Sequence, residues 1–435
     1  MRRDRGARRW SIAAVLLAAI ALVAAAATSP SAQEQKKLAV GVVANTSDYK
    51  WISQLLKQYE KQAGVTIEES QFQSADYIAK YTMAFEAKKP RFDVVMVWDF
   101  FLPQMVAGKY LMPLDGSENP KIRLADADRQ DFFPQSLKGV TLDGHLYGIP
   151  ESLDAGLFYY RKDVYAQAGL TRPPRTWDEL VEYSQKLTKG NQWGYSFIAR
   201  SGYTGVVTFF ELLHQAGGTF LDDKGLPAFN SPAGVKALQF MVDLRNKYKV
   251  VPPGVNTYAN PEVHTGFLNG TFVQARHWPY LFGMAEYAER WGIKSMVKGQ
   301  TGIARLPYLV KDLSSFNNWV YAIPRTANNP EAGWELIKFL TSRESCNFEI
   351  LFGLDLPARK SAYKNPDIER RLPGSKEFFD LMYGVMETAV PYVVPEGAPV
   401  MDAVGREMDR ALLGSVSAKE ALDAAAAKTR ELLKR

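Results

Sequence analysis

Two carboxylates are the first residues to weigh for chemistry. Asp99 directly follows the largely apolar run Phe92–Trp98, and Asp154 lies in the stretch Tyr147–Asp163, three residues after Glu151. Two such groups flanking a glycosidic bond, ~5–9.5 Å apart, can hydrolyse it. The same groups, without a reaction to serve, accept hydrogen bonds from hydroxyls. The sequence leaves their separation open. It contains no nucleophile elbow, no His-Glu-x-x-His and no P-loop. Its four histidines (His145, His214, His264 and His277) are scattered, which gives a transition-metal site poor support. The single Cys346 has no partner for an internal disulfide and falls in an apolar helical pattern, so a packed thiol is expected. No cofactor and no metal are expected.

The elements that must position these acids follow from periodicity. Leu38–Ala44 reads as a buried strand, and Tyr49–Ala63 as a helix closed by Gly64. Val65–Glu69 is a second strand, Asp76–Lys88 a helix, and Phe92–Trp98 a strand buried on both faces. Strand–helix alternation implies parallel βαβ units with helices on both sides. Ligands of such sheets sit beyond the carboxyl ends of the strands. Asn45, Thr46 and Ser47 after the first strand, and Trp98 and Asp99 after the third, are therefore candidates. Further on, Thr176-Trp-Asp-Glu179 reads as a capping box, with Trp177 packing the helix start. Gly194–Ile198, Thr301–Leu306 and Asn317–Ile323 read as strands. Gly205–Gln215, the run from Ser231 to Tyr248, Glu331–Leu340 and Ala418–Leu433 read as helices. Phe267–Ala275 gives a helix end, a Gly turn and a strand leading into Arg276-His277-Trp278.

The chain begins like a secretory leader. Residues 1–9 hold five Arg and one Asp, and Ile12–Ala27 is uninterrupted and apolar. That run is short for a membrane span, which needs about 20 residues, and small residues follow it. Cleavage is expected near Thr28 or Gln33, releasing a soluble periplasmic protein. The formal net charge is +6, of which residues 1–9 supply +4, leaving +2. A nearly balanced surface is not a nucleic-acid footprint. Beyond the leader the chain exceeds the ~250–300 residues that one core supports, so two domains are expected.

Several short motifs carry a resemblance. They are Phe92-Asp-Val-Val95, Tyr147-Gly-Ile-Pro150, Tyr160-Arg-Lys-Asp163, Thr176-Trp-Asp-Glu-Leu180 and Ala216-Gly-Gly218. Phe267-Leu-Asn-Gly270 with Trp278 downstream and Asn329-Pro-Glu-Ala332 complete the set. Their order and spacing resemble the extracellular solute-binding proteins of ABC importers, in the group that contains maltose-binding protein. The resemblance implies a two-lobed α/β fold, each lobe a mostly parallel sheet flanked by helices, closing on a solute in the cleft. It implies a leader over 1–32, a first lobe of 33–152 plus 316–356, and a second of 153–315 plus 357–435. It implies a small-molecule carbohydrate ligand, an inner-membrane permease with its ATPase as partner, and a monomer that catalyses nothing and binds no nucleic acid.

The resemblance also nominates residues. Sugar faces need flat apolar platforms and sugar hydroxyls need directional partners. Trp278 stands at the aromatic platform position. Asp99 and Asp154 stand where relatives carry ligand-binding acids, with Glu151 as the alternative to Asp154. Asn317-Asn318-Trp319 replaces a Gly pair common in relatives, and Arg359 matches a hydroxyl-binding fork. Trp98 and Thr46 complete the set. Each has a plainer reading: Trp98 and Trp319 as core, Asp99 as a turn cap, Asp154 as partner of a cation. A phosphorylated polyol would need concentrated cations at the cleft. Arg359 and Arg276 alone qualify, so neutral carbohydrate ranks first, ahead of a polyol and of a secreted carbohydrate-active enzyme.

Overall fold

The computed structural model describes residues 37–43, 50–73, 76–89, 91–353, 356–392 and 397–433. The expected leader and Asn45, Thr46 and Ser47 lie outside the described residues. The strands of the two main sheets are β1 (Lys37–Val43), β2 (Thr66–Phe72), β3 (Val94–Trp98), β4 (Ile149–Ala155), β5 (Leu157–Arg161), β6 (Gln274–His277), β7 (Thr301–Ala304), β8 (Ser315–Ala322) and β9 (Val390–Pro391). The longer helices are α1 (Lys50–Ala63), α2 (Tyr77–Glu86), α3 (Trp177–Leu187), α4 (Tyr203–Gln215), α5 (Pro232–Asn246), α6 (Asn260–Leu268), α7 (Tyr280–Glu286), α8 (Pro330–Leu340), α9 (Arg343–Gly353), α10 (Lys376–Thr388), α11 (Gly397–Leu412) and α12 (Ala418–Leu432).

The larger sheet runs β9-β8-β3-β1-β2, with β4 on the other side of β8. β2, β1 and β3 are parallel, as their βαβ connections require. β8 runs antiparallel to both β3 and β4. All five residues of β3 are buried, which explains their near-continuous apolar character. α1 packs through Trp51, Ile52, Leu55 and Leu56 on one face and ends at Gly64, whose φ of 64° a side chain would resist.

The smaller sheet, β6-β5-β7, is antiparallel throughout, against the expectation of a parallel one. Its central strand, β5, arrives directly from β4 through Gly156 and pairs in the opposite sense with both β6 and β7, which return to it from far along the chain. Gly194–Ile198, expected as a strand, makes only isolated bridges, Trp193 to Phe272 and Ser196 to Ala275. The α3 cap is half of the expected box. Thr176 Oγ1 accepts from Glu179 N at 3.2 Å, while the Glu179 carboxylate takes Arg172 and Arg175 N instead. Trp177 stacks on Phe240 with centroids 4.4 Å apart. Cys346 is buried, as a packed thiol should be.

Two sets of pairings bear on where the chain leaves the larger sheet. β4 keeps its ladder to β8 through Ala155, so the chain leaves the larger sheet at Gly156 and not after Ser152. Pro357 bridges to Ser152 of β4, and Arg359 bridges to Phe132. Among the described residues, no helix is long and apolar enough to cross a membrane.

Candidate functional site

The antiparallel entry of β8 is what gathers the candidate residues. It lays Trp319 opposite Trp98 of β3 and Ser152 of β4, and Asn317 opposite Asp154. The amino end of β8 therefore meets the carboxyl ends of β3 and β4. The Trp98 and Trp319 rings lie 6.3 Å apart at 28°, and Tyr77 backs Trp319 at 6.1 Å. Tyr77 Oη also accepts from Trp98 N at 3.2 Å.

Asp99 Oδ2 accepts from Asn318 N at 2.9 Å and from Asn318 Nδ2 at 2.6 Å. Asn318 Oδ1 accepts from Ser136 Oγ at 2.6 Å, on the short helix Pro134–Gly139. Asp99 Oδ1 has no protein partner although it is buried. Burial raises the Asp99 pKa to about 8, against the opposing pull of the Asn318 hydrogen bonds. Burial also raises Asp154 to about 6, opposed by hydrogen bonds from the Asn317 side chain and Trp319 and by the charge of Arg276.

Trp278 follows β6, whose His277 pairs with Leu157 just past the Gly156 crossing. Its Nε1 donates to Asn260 Oδ1 at 3.1 Å, and the Arg276 guanidinium lies 3.9 Å from its ring centre. Arg276 in turn forms a fully buried fork with Glu211, both contacts 2.7 Å. Trp98, Trp319 and Trp278 each keep only 7–8 % of their surface exposed.

Glu151 and Arg359 go elsewhere. β8 passes from Ser152 to Pro150 in its pairing, which leaves Glu151 as the extra residue of a β-bulge. Its side chain accepts from Ser152 Oγ at 2.7 Å, and its charge, with those of Glu349 and Asp131, is felt by Cys346. Arg359 packs over the Phe132 ring and pairs with Asp128 at 2.9 Å and Asp131 at 3.4 Å, while its Nε donates to Thr341 O. Its donors are thus taken by Asp128, Asp131 and the Thr341 carbonyl.

Sequence reasoning did not single out Ser136, Tyr77, Asn260 or Glu211. An acid in the middle of Gly205–Gln215, otherwise largely apolar, and an Arg in the buried run Val273–His277 are signals of a buried pair. A Cβ at Gly139 would approach Asn318 Nδ2 to 3.1 Å and Asp99 Oδ2 to 3.2 Å, which keeps that position small.

Comparison with known proteins follows the same lines. A mannitol-binding protein of Pseudomonas aeruginosa is 26 % identical over 79 % of this chain and 81 % of its own length. A probable ABC transporter-binding protein of Deinococcus radiodurans is 28 % identical over 72 % of each chain. The solved structure of maltose-bound MalE3 of T. maritima superimposes with a TM-score of 0.80 at 29 % identity, covering 91 % of this chain and 99 % of that one. The model of the family described as bacterial extracellular solute-binding protein matches residues 44–345. That match spans well over half of the sequence: this chain belongs to the bacterial extracellular solute-binding proteins.

Proposed function

We propose that the chain is the solute-capturing component of an ABC importer and that its solute is a neutral carbohydrate, a mono- or oligosaccharide. The observation that carries this reading is the convergence of Trp98, Trp319, Asp99, Asp154, Asn317 and Asn318 at one end of the larger sheet, with Trp278 beside the crossing to the smaller one. Indoles supply flat apolar area for C–H faces at low entropic cost. Acids and amides supply directional partners for hydroxyls, and Asp99 Oδ1, without a protein hydrogen-bond partner, can donate while the acid keeps its proton and accept once it is lost. The two lobes divide at Gly156 and at Ser314–Ser315, and closure brings Trp278 toward Asp99 across the cleft. The protein delivers its solute to an inner-membrane permease after export to the periplasm by its cleaved leader.

Charge favours a neutral ligand. Arg276 and Arg359, the cations that a phosphate would recruit, are both already paired with carboxylates. An unphosphorylated polyol is the second reading, supported by the mannitol-binding relative. Mass spectrometry of ligand released from natively purified protein tests the class. A hexose, an oligosaccharide or a sugar alcohol is expected, and a phosphorylated compound or a peptide overturns the reading. Solution scattering with and without that ligand tests the mechanism. A smaller radius of gyration is expected, because ligand shifts the lobes only through its preference for the closed state. Turnover of the ligand would instead favour a carbohydrate-active enzyme.

A further inference from the structure

The Glu211–Arg276 pair sits where the two sheets meet. Glu211 lies in the middle of α4, and one face of that helix touches each chain segment that passes there. Val207 O accepts from Tyr392 Oη at 3.1 Å. Glu211 Oε1 lies 3.3 Å from Ser314 Oγ. His214 Nδ1 lies 3.3 Å from Ser315 Oγ, and Gln215 Nε2 donates to Leu313 O at 3.1 Å. These are positions i, i+4, i+7 and i+8, a single stripe.

The segments on that stripe are also bonded to one another. Gly156 N donates to Ser315 O at 3.4 Å, and Ser314 Oγ donates to Gly156 O at 2.8 Å. Val390 N donates to Ser314 O and Tyr392 N to Phe316 O. A Cβ at Gly156 would lie 2.0 Å from Glu211 Oε1 and 2.8 Å from Arg276 Nη2, so the first crossing rests directly on the ion pair. The Arg276 guanidinium also lies over Trp278.

We infer that Glu211 and Arg276 are positioning residues: the pair seats the interlobe crossings on α4 and couples them to the Trp278 platform. A buried charge pair holds its geometry because neither partner can leave without stranding the other. A solute stacked on Trp278 therefore presses on a group that already holds both crossings. The platform's meaning rests on the carrier reading, whereas the seat does not.

Hydrogen exchange on the ligand-free full-length protein tests the seat and needs no ligand, so its outcome is separate from the test of function. The amides of Gly156, Val390 and Tyr392 report the crossings, and those of β1 and β2 report the distant core. Glu211→Gln keeps the shape and removes the charge. Exchange at the three crossing amides is expected to rise about tenfold relative to β1 and β2. Trp278→Ala is expected to raise it about threefold, by freeing one face of Arg276. Arg276→Lys, which keeps the charge and loses the fork, carries the Glu211→Gln expectation if that variant does not fold. Exchange that is unchanged at the crossings, or that rises equally in β1 and β2, overturns the seat. A crossing that responds to Glu211→Gln and not to Trp278→Ala overturns the coupling.

Discussion

Arg276 and Arg359 are both buried arginines paired with carboxylates, and they behave as different devices. Arg276 meets one carboxylate, Glu211, in a fork with both side chains at most 2 % exposed, and its face carries Trp278. Arg359 divides its donors between Asp128, whose side chain is 46 % exposed, Asp131 and the Thr341 carbonyl. The first is a closed pair against Gly156. The second is a wetter brace beside Phe132. Burial of a cation therefore does not identify a ligand contact; what matters is which group shares its surface.

Arg276→Met is expected to cost the most. It leaves Glu211 charged and unpaired in the core, a loss of about 3–5 kcal/mol in unfolding free energy. Denaturant titration measures it, and adding Glu211→Gln should recover part of the loss. A cost equal to that of an exposed Arg would erase the distinction between the two arginines. Trp278→Ala is expected to weaken ligand binding by about 2–4 kcal/mol, the range of a buried aromatic hot spot. Calorimetry with the released ligand checks this, and unchanged affinity would move the platform to Trp98 or Trp319. Arg359→Met is expected to cost about 1–3 kcal/mol of stability, the scale of charged hydrogen bonds with partly wet partners. Its ligand affinity should match that of the parent; a large loss would return Arg359 to the cleft.

A further prediction concerns pH. Burial lifts the Asp99 pKa from 3.8 to about 8. The folded protein thus holds this proton to higher pH than the unfolded chain does. The contribution of Asp99 to stability is full below pH 3.8 and falls as pH rises through about 8. Asp99→Asn should flatten that part of the stability profile, and thermal unfolding at pH 6 and pH 9 measures it. An unchanged slope would mean that Asp99 is not the group responsible.

Much of this protein was legible in its residues. Apolar periodicity located β1, α1, β3, α4 and α12 to within a few residues, because burial of a repeating face is a local property of the chain. The Trp98-Asp99 position was legible for the same reason, since it follows a strand that is buried on both faces. The bulge at Glu151 was not legible, because the alternation of a strand does not show where its partner skips a residue. Glu151 and Asp154 looked interchangeable along the chain, and the bulge sends Glu151 toward Cys346. Arg359 looked like a cleft residue until Asp128 and Asp131, more than two hundred positions earlier, came into contact with it. The antiparallel smaller sheet had the same origin: strand direction depends on which distant segments meet, and β6 and β7 reach β5 only after a long helical stretch of chain. Local hydrophobic pattern is written in neighbouring residues, so the sequence alone determined the elements. Partnership between buried charges and register between distant strands depend on long-range closure, so only the tertiary structure decided them.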